Sequence, residues 1–434
     1  MLFKSMHVEL LYVRRFDFKL QSTSHNRLYY ILILSIIHLN IILYYTNTRR
    51  FAKMNLKKIV IATDSFKESM SAKEAGLAIQ DGFKAVFDDA IHYDIIPMAD
   101  GGEGTTDALK EALNAKTYTI PVHDPLHRSI EASYARSDDD QIAIIEMAAS
   151  SGLDLLSKDE RNPLITSTYG VGEMILDALN HHVSKIILGI GGSATNDGGS
   201  GMLCALGAQF LDAQHQPLQL GGGYLSELAH IDISNLDQRL KDVTFEVACD
   251  VTNPLLGPNG ATEVYGPQKG ADAKMIPKLD SALATYHDMI EQELNLNVKD
   301  IPGAGAAGGL GTGILAFFNA SLSKGIDIVL KETDFSRRVQ DADLVITGEG
   351  KMDAQTVFGK TPIGVAKAAK VHHIPVIAIC GSLGEGYQDV YNHGIDSAFS
   401  LIEQPEALPS LLSNGKRNMT HTAENIARLL KQII

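Results

Sequence analysis

Tryptophan is absent from this chain of 434 residues, cysteine occurs three times, and only 6% of the residues are aromatic. Charge is sparse as well, at 21%, and it leans acidic: 38 Lys and Arg stand against 52 Asp and Glu, a formal net charge of −14. Each shortage excludes something. An acidic chain without a basic stripe is no nucleic-acid binder, because displacing counterions from phosphates takes clustered Lys and Arg. Cys204, Cys249 and Cys380 lie far apart, so they offer neither a zinc site nor a disulfide framework, and they suit a reduced cytosolic protein. Low charge combined with 45% hydrophobic residues excludes wholesale disorder. At roughly 100–200 residues per domain, two or three domains are expected.

Residues 1–53 differ from the rest. They hold eight basic and two acidic residues, and the run 28–45 is apolar except for Ser35, His38 and Asn40. That run could just cross a bilayer, but no small-residue cleavage site follows it, as a secretory signal would need. Met54 opens MNLKKIVIATD, a basic start leading into a strand. The preceding segment therefore reads as an over-extended start, with a membrane anchor as the alternative. Without it the basic and acidic totals fall to 30 and 50, a net of −20.

From Met54 onward, short apolar runs alternate with helical patterns. Strands are expected at 58–63, 92–97, 141–147, 183–190, 245–249, 326–330, 344–347 and 375–380, and helices at 72–86, 105–113, 172–179, 273–294, 363–370 and 423–433. This alternation predicts an α/β fold with parallel sheets covered on both faces. Ser71 before Ala72-Lys73-Glu74 predicts an N-cap. The polar strands 117–121 and 130–135 look antiparallel and would open an inserted second domain. The expected organisation is residues 54–115 with 297–434 in one domain and 116–296 in the insertion.

The 38 glycines cluster at strand ends, where open α/β folds bind ligands. Gly189-Ile190-Gly191-Gly192-Ser193-Ala194, with Asp212 some way on, fits a dinucleotide fingerprint and supports an NAD(P)-dependent oxidoreductase of a small hydroxy acid. The glycines at 198, 199 and 201 would weaken the helix that motif requires. Backbone amides with Ser193, Thr195, Asn196 and Asp197 suit phosphate and Mg²⁺ equally well, and a plain structural turn is the third reading. Gly303–Gly311 contains a literal GxGxxG but follows no buried strand, which leaves either a backbone cradle or close helix packing. Residues 354–361 fit a relaxed Walker A motif whose preceding strand stops too early, although Lys360 can still reach a phosphate near a helix start. In Asp100-Gly101-Gly102-Glu103-Gly104, the acid at the strand's end is the better chemical candidate.

Six segments together resemble the signatures of the bacterial type 1 glycerate kinase family. They are Ala62–Ser69 (ATDSFKES), Met98–Thr105 (MADGGEGT), Gly191–Gly199 (GGSATNDGG), Asp250–Leu255 (DVTNPL), Tyr265–Ala271 (YGPQKGA) and Gly348–Asp353 (GEGKMD). Thr63 and Glu68 depart from the family's usual Ala-Pro-Asp-Ser-Phe-Lys-Gly, and nothing in the family corresponds to residues 1–53. The resemblance implies a two-domain α/β fold of glycerate kinase type, a Rossmann-like parallel-sheet domain carrying an inserted second α/β domain. It also implies ATP-dependent phosphorylation of D-glycerate to 2- or 3-phosphoglycerate.

Phosphoryl transfer needs positioning, charge neutralisation and a carboxylate to take the hydroxyl proton. Asp100 is the first choice for that base and Asp197 the second, with Lys67 as a clamping cation. Asp64, Ser65, Gly101, Gly102 and Lys269 are assigned to substrate, and Gln268 accompanies Lys269 across the cleft. Gly191, Gly192, Ser193, Thr195, Asn196 and Lys360 are assigned to nucleotide phosphate. Mg²⁺ is assigned to Asp197 and Asp250, with Glu349 and Asp353 in reserve. The expected partners are ATP, Mg²⁺ and the small molecule D-glycerate. Neither nucleic acid nor membrane is expected unless residues 28–45 are an anchor, and the location is cytoplasmic. A non-enzymatic sugar-acid sensor would bind glycerate and leave ATP untouched.

Overall fold

The runs KIVIAT, LVITG and VIAIC are apolar almost throughout, with no alternation to mark an exposed face. Such segments are stable only inside a sheet covered on both sides. The computed structural model, which describes residues 56–101 and 104–433, places them side by side. The expectations for residues 1–53 and for Gly102 fall outside the described residues. Leu56–Gln432 form one unit, and among the described residues no helix is long and apolar enough to cross a membrane.

The first sheet contains β1 (Lys58–Thr63), β2 (His92–Ile95) and three strands from the far end of the chain. The second contains β3 (Lys116–His123), β4 (Ser129–Arg136), β5 (Ile142–Glu146), β6 (Lys185–Gly189), β7 (Thr244–Ala248) and β8 (Ala320–Ser323). The chain then returns to the first sheet through β9 (Leu344–Gly348), β10 (Val376–Cys380) and β11 (Ser397–Ser400). The first sheet has the order β11-β10-β9-β1-β2 and every pair is parallel. Its strand order reverses between β1 and β9, the crevice where open α/β sheets hold ligands. The second has the order β8-β7-β6-β5-β4-β3, antiparallel through β3, β4 and β5 and parallel from there.

The main helices are α1 (Ala72–Phe87), α2 (Thr105–Ala112), α3 (Tyr169–Asn180), α4 (Ser200–Ala205), α5 (Met275–Leu294), α6 (Ala306–Phe317), α7 (Gly325–Glu332), α8 (Thr361–Lys370) and α9 (Gly415–Ile433), with further short helices and turns between them. The expected cap of α1 is a reciprocal capping box: Ser71 Oγ accepts from the Glu74 amide and Glu74 accepts from the Ser71 amide. One apolar core takes residues from both sheets, including Val60, Val345, Ile144 and Ile187, and closes over Leu109 of α2 and Ile328 of α7.

Two expectations about the course of the chain are corrected. Residues 326–330 form no strand but the body of α7. Ile326 and Val329 are buried while Asp327 is exposed, a helical spacing that five residues alone cannot distinguish from a buried strand. The second sheet also runs past residue 296, because the short polar β8 pairs with β7.

Candidate active site

The carboxyl ends of strands from both sheets open onto one cavity of about 680 Å³. Asp100 and Gly101 enter it from the loop after β2, Gly191, Gly192 and Ser193 from the loop after β6, and Cys249, Asp250 and Val251 from the loop after β7. Lys324 and Lys360 stand at the N-cap positions of α7 and α8, and Tyr265, Gln268, Lys269, Ala306 and Phe358 are among the other lining residues. The loops are held close by glycine. A Cβ on Gly325 would lie 2.1 Å from the Gly101 Cα, so α7 starts where the Asp100 loop crosses it. Asp250 completes that junction by accepting from the Gly325 amide at 3.1 Å.

The two glycine clusters that the sequence treats separately are packed backbone to backbone. The Gly198 amide donates to the Gly308 carbonyl at 3.0 Å, and a Cβ on Gly308 would fall 2.1 Å from the Thr195 carbonyl oxygen. Ala307, Gly308 and Gly309 all take left-handed φ at the start of α6. The same Thr195 carbonyl accepts from the Lys269 ammonium at 2.6 Å. Lys269 is 1% exposed yet lines the cavity. Burial pushes it down to about 7, against the pull of Asp197.

Carboxylates gather around the Asp100 loop and the start of α8. Burial and the charge of Asp100 raise Asp250, against the Gly325 amide and Lys324. Asp64 is raised to about 6 by burial and by Asp100, although it accepts from Thr361 Oγ1 and the Ser65 amide at 2.6 Å each. Glu349, at the end of β9, is raised to about 7 by burial and by Asp64, while it accepts from Thr356 Oγ1 at 2.6 Å and pairs with Lys360 at 3.5 Å. Asp64 and Glu349 thus brace the start of α8 from the strand-order switch of the first sheet.

Nine of the residues singled out from sequence come together here: Asp100, Gly101, Gly191, Gly192, Ser193, Asp250, Gln268, Lys269 and Lys360. Others do not, and Asp197 is the main correction. It is completely buried and accepts from the Thr168 amide and hydroxyl and from the amides of Gly199 and Gly201. With its oxygens so engaged beneath the loop, it organises the turn and does not line the cavity. Thr195 and Asn196 are likewise fully buried and do not line the cavity. Ser65 and Lys67 open onto a neighbouring cavity with Gly104, Asp107 and Lys110. Asp353 caps the turn at Gln355 and pairs with Lys351. Asp212 accepts from the amides of Gln214 and Gln216 in a surface turn, so the oxidoreductase reading loses its ribose carboxylate.

The sequence pattern hides Lys324, because residues 326–330 read as a buried strand. Had Gly325 been recognised as the first residue of a helix, the lysine before it would have marked a second cationic helix start. Among the described residues, the metal-like cluster His287, Asp288 and Glu291 is no rival site. His287 Nε2 accepts from the amides of Val298 and Lys299, so its Nδ1 holds the proton and cannot ligate.

These shifts make ligand-free stability depend on pH in a defined way. A carboxyl raised from 3.8 or 4.5 to about 6 or 7 stabilises the fold fully below its ordinary value and loses that contribution as pH rises through the folded one. A lysine lowered from 10.5 to about 7 contributes fully above 10.5 and loses it as pH falls toward 7. Both effects are least favourable near neutrality, so urea midpoints are expected to dip around pH 7. Lys269→Met should abolish the rise on the alkaline side; an unchanged profile would contradict the assignment.

The comparisons agree with one another. Residues 59–431 match the glycerate kinase family. A glycerate kinase of Halalkalibacterium halodurans is 54% identical over 372 residues, covering 86% of this chain and 98% of that protein. The glycerate 2-kinase of Escherichia coli K12 is 49% identical over 373 residues, with the same coverage. A crystal structure of a Salmonella typhimurium LT2 protein assigned as glycerate kinase 2 superposes with a TM-score of 0.80 at 48% identity, covering 87% of this chain and 99% of that one. With matching sequence and fold over nearly the whole of the described residues, the chain belongs to the glycerate kinase family.

Proposed function

We propose that this chain is a bacterial type 1 glycerate kinase that transfers the γ-phosphate of ATP to the 2-hydroxyl of D-glycerate, giving 2-phosphoglycerate. The observation that carries the reading is the shared cavity, with Asp100 on one wall and backbone amides and lysines on the others. The Asp100 carboxylate takes the proton of the glycerate hydroxyl, whose oxygen bonds to the γ-phosphorus as the bond to the β-phosphate oxygen breaks and ADP leaves. Gly191, Gly192 and Ser193 turn their loop toward the phosphates, and their amides have no acceptor among the described residues. Lys360 and Lys324 offset phosphate charge at two helix starts, where partial positive charge adds to theirs. Lys269 offers its remaining N–H groups to an anion from the floor of the cavity.

The acidic side of the cavity needs a counter-charge. Asp250 presents oxygen donors there that suit Mg²⁺, which takes one or two carboxylates and completes its shell with phosphates and water. When bound, the metal supplies neutralisation of the transferring phosphate. Gly101 must stay glycine beside it, because a Cβ there would lie 2.3 Å from Asp250 Oδ2. The name of the Escherichia coli relative supports 2-phosphoglycerate over the 3-isomer. Three free cysteines and ATP as co-substrate fit a reducing cytoplasm.

The test is ADP release by the full-length chain with ATP, Mg²⁺ and D-glycerate, and phosphorus NMR of the product. Glycerate-dependent ADP that disappears on chelation is expected. No ADP at millimolar substrate sinks the reading, and a 3-phosphoglycerate signal would reverse the regiochemistry.

A further inference from the structure

Phe358 is 80% exposed, more than any other large apolar side chain among the described residues, and it lines the cavity. Water contact over so much ring is unfavourable, yet the backbone beneath it is firmly built. The Thr356 amide donates to the Asp353 carbonyl at 3.0 Å, the Phe358 amide to Gln355 at 3.1 Å, and Thr356 Oγ1 to buried Glu349. Gly359 then turns the chain with φ +111 and delivers Lys360 to the start of α8. The ring is therefore held out on a hydrogen-bonded turn, two residues before a cation that faces the same cavity.

Lys324 tightens this arrangement. Its ammonium lies against the Gly359 turn, where a Cβ would meet it at 2.8 Å. It has no hydrogen bond or ion pair among the described residues, although it lies near enough to Asp250 to pull that group's pKa down. An unstacked aromatic face beside two ammonium groups matches a molecule with a flat apolar ring at one end and phosphates at the other. Glycerate has no ring to place there, and a triphosphate without a base would leave the phenyl unused.

We propose that Phe358 is the stacking platform for the nucleobase of the phosphate donor. This rests on the kinase reading and adds to it where the base lies. A base on Phe358 leaves its phosphates pointing inward past Lys360 and Lys324, toward the Gly191–Ser193 loop. Stacking is indifferent to which base is offered, because every base has a π-face, so the subsite would accept nucleotides of any base.

The absence of tryptophan from the chain makes the test direct, since Phe358→Trp would hold the only indole. Its fluorescence in the full-length protein is expected to change on adding ADP or adenosine and to stay constant with inorganic tripolyphosphate or glycerate. By equilibrium binding, Phe358→Ala and Phe358→Leu should each weaken ADP by roughly tenfold or more and leave tripolyphosphate affinity unchanged. Wild-type affinity for ADP in both variants would overturn the proposal and leave the kinase reading standing. A wild-type protein that binds no ADP at all would overturn both. A signal that follows protein concentration instead of ADP would assign the ring to a contact between copies of the chain, and the proposal would fall.

Discussion

Asp100→Asn is expected to lower the turnover of glycerate phosphorylation by about 10²–10⁴-fold, the usual contribution of a positioned general base, with ADP affinity preserved. The substitution keeps the shape of the side chain and the surrounding loop. The Gly101 amide would still donate to Thr105 Oγ1, and the close approach of Gly101 to Gly325 involves backbone only. What changes is charge. Asp100 raises both Asp64 and Asp250, so both should titrate lower in the variant, and carboxyl NMR shifts can follow them separately from activity. Lower turnover together with that shift identifies a charged group at the reacting centre. Wild-type turnover in the variant would remove Asp100 as the base.

Gly308→Ala should be among the most damaging small substitutions outside the apolar core. Its φ of +68 costs an L-residue about 1–2 kcal/mol. The new methyl would also lie 2.1 Å from the Thr195 carbonyl, and overpacking of this kind costs about 1–3 kcal/mol. Together these predict a loss of about 2–5 kcal/mol, measurable as a lower urea midpoint with unchanged slope. Activity should fall as well, because the displaced carbonyl is the acceptor that holds Lys269. Gly191→Ala is the control: nothing lies within 4 Å of its Cβ position, so a change within about 0.5 kcal/mol is expected, as at an ordinary surface site. Equal losses at both positions would refute the packing argument.

Much of the fold is legible in the sequence because its signals are local. KIVIAT and VIAIC report two-sided burial in their own composition, Ser71 and Glu74 report a helix start, and the polar residues 117–121 and 130–135 fall in the antiparallel strands β3 and β4. The glycine clusters report loops that come close to something. They do not report what they approach, and there the sequence reading divides. Gly191–Ser193 face the cavity, whereas Thr195, Asn196 and Asp197, only a few residues on, turn beneath it to meet Lys269, Thr262 and Thr168. A loop that doubles back on itself places neighbouring residues on opposite sides, and no spacing rule predicts which side each takes.

The sequence by itself determined that this is an acidic α/β enzyme with glycine loops at its strand ends, because composition, burial runs and motifs are properties of short stretches. Only the tertiary structure decided which strand ends face one another. Asp100, Asp250, Lys269, Lys324 and Lys360 lie far apart along the chain, and they share one cavity because the second sheet is inserted after β2 and the chain returns through β9 beside β1. Packing within the inserted segment buried Asp197 against Thr168, Gly199 and Gly201, and residues of the first third of the chain hold Lys67 over a different cavity. Desolvation followed from the same packing: it moved Lys269, Asp64 and Glu349 toward neutral pH, and no reading of residue types could have supplied it.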